Sequence, residues 1–354
     1  MVHDMTRQIK VGNVKIGGGA PISIQSMAKT DTRDVLATVS EIRKLEKSGC
    51  EIIRVAIKDF EAAKAIKAIK RKIDLPLVAD IHFDYRLALS AIENGADKIR
   101  LNPGNIYKEN EIKEIVKSAK KRNIPIRVGA NSGSIRRAPE HQSTRAPVKD
   151  MVSEMVKSVL GYIKILERMD FYDIIVSLKA SDVINTIEAY KLFSKKSRYP
   201  LHLGVTAAGA VSSGIVKSSI GIGVLLLNGI GDTIRVSLTG DPVEEVVAAK
   251  NILQALELRS FGPDIISCPT CGRCQVDLQK IVAEIQERVS GKSKIPDIKI
   301  AIMGCEVNGP GEAKEADIGI ACGKGTGVIF KKGKIIKRVK EKEIAKCLLN
   351  MLKS

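Results

Sequence analysis

Tryptophan is absent from the 354-residue chain, and aromatic residues make up only 3% of it. Proteins that hold single-stranded nucleic acid stack the bases on aromatic side chains, so this composition offers few such platforms. The formal charge of +18 would otherwise favour a nucleic-acid partner. However, the lysines are scattered along predicted helix faces, which is typical of a solvated surface. We therefore expect no nucleic-acid partner, and instead a small anionic substrate and an acidic protein electron donor.

Long hydrophobic runs are also absent. Apolar stretches such as residues 224–227 fall far short of the ~18 residues that a membrane-spanning helix needs. The first ten residues lack the apolar core of a secretory signal peptide. The seven cysteines are odd in number and partly clustered, which favours metal chemistry in a reducing compartment over a disulfide scaffold. The sequence thus predicts a soluble, cytoplasmic protein with no membrane partner.

Short apolar segments alternate with helical patterns along the first 258 residues. The predicted strands are residues 21–27, 52–57, 77–81, 98–102, 125–131, 173–179, 201–206 and 232–238. Eight strand–helix units over ~240 residues indicate an α/β fold, an N-terminal parallel (β/α)8 TIM barrel, with a hairpin at residues 9–16 capping its bottom. A doubly wound sheet is the alternative, but no G-x-G-x-x-G motif follows the first strand. We predict that residues 1–258 form a substrate-binding barrel domain, and that residues 259–354 form a small α+β domain.

Cationic side chains recur where the predicted barrel strands end. Active sites of TIM barrels lie at the carboxyl ends of the strands, and five of the eight strands bring a lysine or arginine there. Several buried cations at equivalent positions would stay unpaired unless an anion filled the centre, and arginine suits bidentate contact with phosphate. The pattern predicts a substrate with two phosphates. The five cations are Arg54, Arg100, Arg127, Lys179 and Arg235.

Cysteines and a carboxylate converge in the last quarter of the chain. Cys268 and Cys271 have the C-x-x-C spacing that lets one turn direct two thiolates at a single metal centre, and Cys305 can supply a third ligand. Glu312 lies close enough in sequence to Cys305 to reach the same iron, at the end of what we expect to be a stiff loop over residues 308–312. A carboxylate holds iron less firmly than thiolate does, so this ligand can be exchanged. These residues predict an iron–sulfur site.

Other interpretations of the cysteines remain open at this point. Cys274 extends the run to C-x-x-C-x-x-C, but the C-x-x-x-C-P that completes a bacterial ferredoxin pattern does not follow. A nucleic-acid-binding protein with a zinc ribbon would use Cys268, Cys271 and Cys305, but a ribbon usually closes with a second C-x-x-C or a histidine pair, and neither follows. The remaining three cysteines are most simply small core residues; they are Cys50, Cys322 and Cys347.

Five motifs together resemble one enzyme family. They are residues 10–27, 30–33, 229–237, 267–273 and 308–312, and the likeness extends over nearly the whole chain. The chain is similar to the 4-hydroxy-3-methylbut-2-enyl diphosphate synthases, the IspG or GcpE family, in their compact two-domain bacterial form. The resemblance implies an iron–sulfur oxidoreductase that reductively opens 2-C-methyl-D-erythritol 2,4-cyclodiphosphate in the non-mevalonate isoprenoid pathway.

The resemblance also implies a cofactor, ligands and partners. It assigns a [4Fe–4S] cluster to Cys268, Cys271, Cys305 and Glu312, with ferredoxin or flavodoxin as the electron donor. It implies a homodimer in which the cluster domain of one chain closes over the barrel of the other. The substrate-binding positions that it implies are Arg54, Asp80, His82, Arg100, Asn102, Arg127, Asn131, Lys179, Thr206, Arg235, Ser237 and Asn308.

One position departs from the family pattern. After the seventh strand the family has a glutamate, implicated in catalysis as an acid, where this chain has Ala207. Either activity is impaired or another group supplies the proton, and Glu306 beside Cys305 is one candidate. The departure also keeps a second alternative open beside the zinc ribbon, which is a catalytically weak barrel paralogue with a structural cluster.

Overall fold

The computed structural model describes residues 6–134, 148–289 and 297–352, with side chains for all but residues 134 and 148–150. The chain divides into two compact units, the first ending at Arg259 and the second beginning at Ser260. We describe each unit by itself. The first five residues, which belong to the amino-terminal segment without signal-peptide character, lie outside the described residues.

The first unit contains a barrel of eight parallel strands, as the sequence predicts. Seven adjacent pairs run in the order β8-β7-β6-β5-β4-β3-β10-β9, and a bridge between Val176 and Leu201 joins β8 to the chain entering β9. The strands are β3 (Ser23–Met27), β4 (Ile52–Ile57), β5 (Leu77–Ile81), β6 (Lys98–Leu101), β7 (Ile126–Asn131), β8 (Ile174–Lys179), β9 (His202–Leu203) and β10 (Thr233–Ile234). The predicted fold class is confirmed. The last two strands are shorter than the predicted residues 201–206 and 232–238.

Helices follow the strands and cover the outside of the sheet. Aspartates cap several of them, because a carboxylate accepts a backbone N–H that has no partner in the first turn. Asp34, Asp59 and Asp182 each do this from the residue before the helix. The helices are α1 (Val35–Ser48), α2 (Phe60–Lys70), α3 (Tyr85–Glu93), α4 (Glu109–Arg122), α5 (Val148–Glu167), α6 (Val183–Ser194), α7 (Val211–Leu227) and α8 (Pro242–Ala255).

A hairpin of β1 (Ile9–Val11) and β2 (Val14–Ile16) closes the bottom of the barrel. Ile9, Val11 and Ile16 are buried, and they pack against apolar side chains inside the barrel, namely Ile52, Val78 and Ile175. These six side chains therefore form a hydrocarbon cluster at the lower end of the barrel.

The second unit is a five-stranded mixed sheet with helices on both faces. Its strands lie in sequence order, and they are β11 (Asp264–Ser267), β12 (Lys299–Met303), β13 (Ile318–Gly323), β14 (Thr326–Lys331) and β15 (Lys334–Lys340). The first three are parallel, and β14 is antiparallel to both of its neighbours. Helices α9 (Leu278–Val289) and α11 (Ile344–Met351) cover the larger core, whereas α10 (Gly309–Glu315) packs on the other face.

The segment at residues 308–312 differs from its prediction. It was expected to be a stiff loop, and the structure instead makes Gly309–Glu312 the first turn of α10. Pro310 suits this position, because the first turn of a helix needs no donor from it. Gly309 is required for a different reason, since a Cβ there would lie 2.9 Å from Cβ of Met303. Glu312 is thereby fixed on a helix that begins four residues after Cys305.

Candidate functional site

Five cations gather inside the upper barrel, and we call Arg54, Arg100, Arg127, Lys179 and Arg235 the cation cluster. They come from β4, β6, β7 and β8 and from the residue after β10, where alternation along each strand directs them inward. Arg127 is only 1% exposed, and the side chains of Arg54 and Arg235 are each 12% exposed. Burial first, and then the charges of the neighbouring cations, lower the pKa of both Arg127 and Lys179 well below their usual range.

Asp80 is the carboxylate that holds one side of this cluster together. Its oxygens lie 3.3 Å from Nη1 of Arg100 and 3.7 Å from Nη1 of Arg54, and Nε2 of His82 lies at 3.8 Å. Burial raises the pKa of Asp80, but the charges of Arg54, Arg100 and Arg127 outweigh burial and lower it to about 2. Burial lowers the pKa of Arg54 to about 9, so this guanidinium still carries its charge at neutral pH.

Several donors of the cluster have no hydrogen-bonding partner among the described residues. These buried atoms are Nε and Nη1 of Arg127, Nε of Arg100 and Nε of Arg235. An unpaired buried donor costs about 1–3 kcal/mol, and more when the group is charged. Charge-assisted bonds to an anion would satisfy all of them at once.

Glu245 was not predicted from the sequence, yet it anchors the other side of the cluster. It is 1% exposed, and its oxygens lie 3.5 Å from Nη2 of Arg235 and 3.3 Å from Nζ of Lys29. It also accepts the backbone N–H of Leu238 at 3.0 Å. Because it projects from helix α8, the alternation of the strands could not reveal it, and an acidic residue near a helix start is ordinarily a solvated one.

A second polar layer lies beneath the cation cluster, and its lysine, Lys98, was not predicted. Lys98 is completely buried on β6, two residues before Arg100 and on the same face, and its Nζ lies 3.5 Å from Oε1 of Gln25. His202 is buried as well, and neither of its ring nitrogens has a partner among the described residues. Burial, followed by neighbouring cations, lowers the pKa of both side chains well below their usual range. The period-two spacing from Arg100 is the signal that could have found Lys98.

The balance of charge determines what the barrel interior can hold. Lys98 and the cation cluster make six largely buried basic groups, whereas Asp80 and Glu245 are the two carboxylates that the structure pairs with them. Desolvated like charges repel, and without a counter-ion they would destabilise the fold. The interior therefore suits an anion that carries several negative charges.

The other predicted contact residues of the barrel lie at the same end of the strands. Asn102, 4% exposed, accepts the N–H of Gly104 at 3.1 Å. Thr206 donates its backbone N–H to Ala180 at 3.1 Å, which fixes the loop after β9. His82 is more open, with 45% of its side chain exposed. Asn131 ends β7, and Ser237 follows β10, both half-buried.

Gly204 leaves space for Lys179, one member of the cation cluster, beside the backbone of Arg235. Its φ of +155° lies outside what a residue with a side chain readily adopts. A Cβ at this position would lie only 2.6 Å from Nζ of Lys179 and within contact distance of the Arg235 carbonyl oxygen. The absence of a side chain at residue 204 therefore makes room for the lysine ammonium.

Ala207 occupies an exposed loop three residues farther along. Its φ is +50°, a left-handed conformation that costs a residue with a Cβ ~1 kcal/mol relative to glycine. The loop is tied to the barrel by a bond from the N–H of Thr239 to the carbonyl of Gly209 at 2.9 Å. The side chain at position 207 is therefore presented at the carboxyl-terminal rim, with space for a larger group.

The predicted ligands of the iron–sulfur cluster lie at one end of the sheet of the second unit. Cys268 directly follows β11, and its Sγ accepts the backbone N–H of Gly304 at 3.2 Å, next to Cys305. Gly304 is required here, since a Cβ on it would lie in contact with Sγ of Cys274 and 3.4 Å from Sγ of Cys268. Cys271 is exposed on the intervening turn. The structure thus brings Cys268 beside the chain at Cys305.

Hydrogen-bond donors surround Cys305 and favour the ionised form of its thiol. The backbone N–H groups of Val307 and Asn308 at the start of α10, together with a hydrogen bond from Arg273, hold the pKa of its thiol below the usual range. Thiolate is the form that binds iron. Asn308 is exposed, and its carbonyl accepts the N–H of Glu312 at 3.3 Å. Glu312 is exposed on the first turn of α10.

Within residues 6–134, 148–289 and 297–352, no three Cys, His, Asp or Glu side chains form a preassembled metal-binding group. The donor set nevertheless fits an iron–sulfur cluster in its chemistry. It offers thiols in loops at one end of the sheet, N–H groups that donate to sulfur, and the carboxylate of Glu312 on the first turn of α10. The four predicted ligands must therefore move closer together for a cluster to be held.

The remaining cysteines have ordinary surroundings. Cys274 donates its S–H to the carbonyl of Val276 at 3.3 Å. Cys322 and Cys347 belong to the larger core of the second unit, and Cys50 is buried beneath α1. Burial raises the pKa of Cys50 and of Cys322 to about 12, which keeps both thiols protonated.

Two family models match the chain, one in each of the two units. The GcpE TIM-barrel domain matches residues 6–250, and the GcpE protein C-terminal domain matches residues 264–354. The chain belongs to the GcpE family. Both units match models of this enzyme family, which favours the enzyme interpretation over the zinc-ribbon alternative.

Relatives of this GcpE-family chain are similar over almost their full length. A protein of Caldanaerobacter subterraneus subsp. tengcongensis is 57% identical, covering 98% of this chain and 96% of its own. One from Caldicellulosiruptor saccharolyticus is 56% identical and one from Clostridium perfringens 54%, each covering 99% of this chain and at least 98% of its own. All three are named 4-hydroxy-3-methylbut-2-en-1-yl diphosphate synthase (flavodoxin).

Among solved structures, dihydropteroate synthase of Yersinia pestis resembles the barrel with a TM-score of 0.50 and 12% identity, covering 72% of this chain and all of its own. At that identity the likeness concerns the fold alone.

In the described residues, no helix of the GcpE-family chain combines the length and the apolar character needed to cross a bilayer.

Proposed function

We propose that this chain is a 4-hydroxy-3-methylbut-2-en-1-yl diphosphate synthase that reductively opens 2-C-methyl-D-erythritol 2,4-cyclodiphosphate. The observation that carries the proposal is the buried cation cluster with unpartnered donors, in a chain of the GcpE family. A cyclic diphosphate would supply the negative charge that this interior needs. The test is conversion of this substrate by the iron-loaded protein.

The barrel residues would bind and orient the substrate. Arg127 would donate through its two unpartnered nitrogens, and phosphate would also be contacted by Lys179, on the neighbouring strand β8, and by Arg235, after β10. Asp80 and Glu245 keep the guanidinium planes of Arg100 and Arg235 in fixed directions. Such preorganisation matters because the donors then require no reorganisation when the substrate's charge distribution changes.

The second unit would hold the cofactor. A [4Fe–4S] cluster would be held by Cys268, Cys271, Cys305 and Glu312. When bound there, it would supply two electrons, one at a time. Breaking the ring C–O bond and losing the adjacent hydroxyl as water consumes two electrons and a proton for that hydroxyl. That proton must come from a protein group or from water, and residue 207, where the resemblance implies a catalytic glutamate, is an alanine in this chain.

Partners and setting follow from the same proposal. The relatives carry flavodoxin in their names, and a chain with a net charge of +18 suits an acidic carrier of that kind, or a ferredoxin. We also propose a homodimer in the cytoplasm, where a reducing compartment keeps the cysteines available as ligands. Mixing an Arg127→Met chain with a Cys305→Ser chain would restore activity if the two chains share a site.

The fourth ligand can be assigned by substitution. In Cys274→Ser, iron and sulfide content and the visible spectrum are expected to stay near those of the parent, because the Cys274 thiol is engaged with the Val276 carbonyl. In Glu312→Ala, the cluster spectrum or its reactivity should change. Iron and sulfide analysis of anaerobically prepared protein measures both. Loss of the cluster in Cys274→Ser together with a normal cluster in Glu312→Ala would overturn the assignment.

A further inference from the structure

A strongly basic segment lies in the second unit, outside the residues used so far. Nine of the 23 residues from Lys324 to Lys346 are lysine or arginine, against two glutamates. Eight of the nine are exposed, and the hairpin of β14 and β15 carries most of them. So dense a stretch of one sign differs from the scattered lysines of the barrel helices.

These charges are not neutralised within the described part of the chain. The one ion pair found among described residues of the second unit joins Arg288 to Glu284, and none of the nine basic residues takes part in one. Unpaired surface cations project a positive potential that attracts an acidic partner. At physiological ionic strength this attraction extends about 8 Å, so only charges near the contact contribute.

The sheet topology places one end of this segment beside the cysteines. Strand β15 runs in the same direction as β13, since both are antiparallel to β14, and β11 and β12 are parallel to β13. The carboxyl end of β15 therefore lies at the sheet end where Cys268 and Cys305 follow their strands. The N–H of Asp277, three residues after Cys274, donates to Oε1 of Glu341 at 3.0 Å and links the two segments.

Three exposed lysines lie at this end. Lys340 is the last residue of β15, Lys342 follows Glu341, and Lys324 is in the turn between β13 and β14. The N–H of Glu341 donates to the carbonyl of Gly325 at 3.1 Å, which keeps the turn and the end of β15 together. Lys332 and Lys334 lie at the opposite end of the same hairpin, where β14 passes into β15.

We propose that Lys324, Lys340 and Lys342 form the docking surface for an acidic electron-donating protein of the flavodoxin class. The inference rests on the proposed function, because it assumes that electrons must reach the cysteine end of this sheet. Each encounter oxidises the donor by one electron, and two encounters supply the two electrons of one turnover. Charge complementarity at this end would bring the donor to the side of the unit where those electrons are needed.

A different explanation of the lysines is protection of an exposed sheet edge. β15 is the outer strand of its sheet, with Ile335 66% exposed and Ile336 50% exposed, and lysines on such strands prevent pairing with another chain. Edge protection does not depend on which end of the hairpin carries the charge. Docking does, and this difference can be tested.

The experiment compares two double variants of the full chain, Lys340→Glu with Lys342→Glu at the cysteine end, and Lys332→Glu with Lys334→Glu at the far end. Binding of a bacterial flavodoxin is titrated at physiological ionic strength, and turnover is measured with reduced flavodoxin and with reduced methyl viologen. The cysteine-end variant should bind flavodoxin at least ~10-fold more weakly, and its flavodoxin-driven kcat/KM should fall similarly and depend less on salt. Its viologen-driven rate should not fall.

The far-end variant is the matched control, and its affinity for flavodoxin should stay within about threefold of the parent because of screening. Equal losses in both variants, or unchanged affinity in both, would overturn the proposed surface. If the parent turned over with neither reductant, the proposed function would fail. The binding titration would still test the docking surface, because it compares the affinity of flavodoxin for the cysteine-end variant with its affinity for the far-end variant and needs no turnover.

Discussion

Replacing Ala207 by glutamate is expected to raise turnover of the cyclic diphosphate at saturating electron donor by at least roughly tenfold. General acid assistance contributes ~100- to 10,000-fold to a rate, and Ala207 offers no carboxylate where the resemblance to the family implies a catalytic glutamate. Substrate affinity should change little, because the phosphates are held by the cation cluster. Steady-state kinetics with separate kcat and KM values measure the effect.

The structure makes this substitution a clean test. Ala207 is exposed and already has a Cβ in a left-handed conformation, so a longer side chain adds little strain. Ala207→Gln is the matched control, because it has the size of glutamate without an acidic proton, and its turnover should stay at the parental level. An equal gain in both variants, or no gain in Ala207→Glu with a full cluster, would mean that another residue delivers the proton.

Replacing Arg127 by methionine should weaken binding of the cyclic diphosphate by ~1.5–3 kcal/mol, which is roughly 10- to 150-fold in Kd. The same loss is expected for Arg54, Lys179 and Arg235 changed singly to methionine. Arg127 should show it most clearly, because it is 1% exposed and two of its nitrogens have no partner among the described residues. Calorimetric titration of the oxidised protein measures the affinities.

Stability should move in the opposite direction. Arg127→Met removes a buried charge from a crowd of like charges, so the free protein should unfold at the same temperature as the parent or a higher one. Arg43→Met, on the exposed face of α1, is the control and should change neither property. Unchanged affinity in all four variants of the cation cluster would place the substrate elsewhere.

The barrel site could largely be predicted because strand periodicity carries its geometry. Residues two apart on a strand face the same side, and parallel strands end at a common rim, so Arg54, Arg100 and Arg127 could be grouped without a structure. Lys98 obeys the same rule one layer lower. Glu245 does not, because it enters the barrel from a helix after the last strand, and only tertiary packing makes it a partner of Arg235.

The second unit was harder to predict for local reasons. Glycine and proline at residues 309–311 indicate a loop by composition, yet Pro310 fits a first helical turn and Gly309 lets that turn pack on Met303. Strand β15 escaped prediction because its lysines hide any alternation of apolar side chains. In the barrel, β9 ends early because Gly204 leaves the strand conformation at φ +155°. For α10, the packing of Gly309 on Met303 overrides the sequence pattern.

The central claim is that the cation-lined barrel and the cysteine-bearing unit act together to reduce a cyclic diphosphate. Its most direct test is anaerobic purification, metal and sulfide analysis, and incubation with 2-C-methyl-D-erythritol 2,4-cyclodiphosphate and reduced flavodoxin. The account predicts a brown protein with about four irons and four sulfides per chain that forms 4-hydroxy-3-methylbut-2-enyl diphosphate, slowly in the parent and faster in Ala207→Glu. A colourless protein with stoichiometric zinc, or an iron-loaded one that neither binds nor converts the cyclic diphosphate, would contradict it.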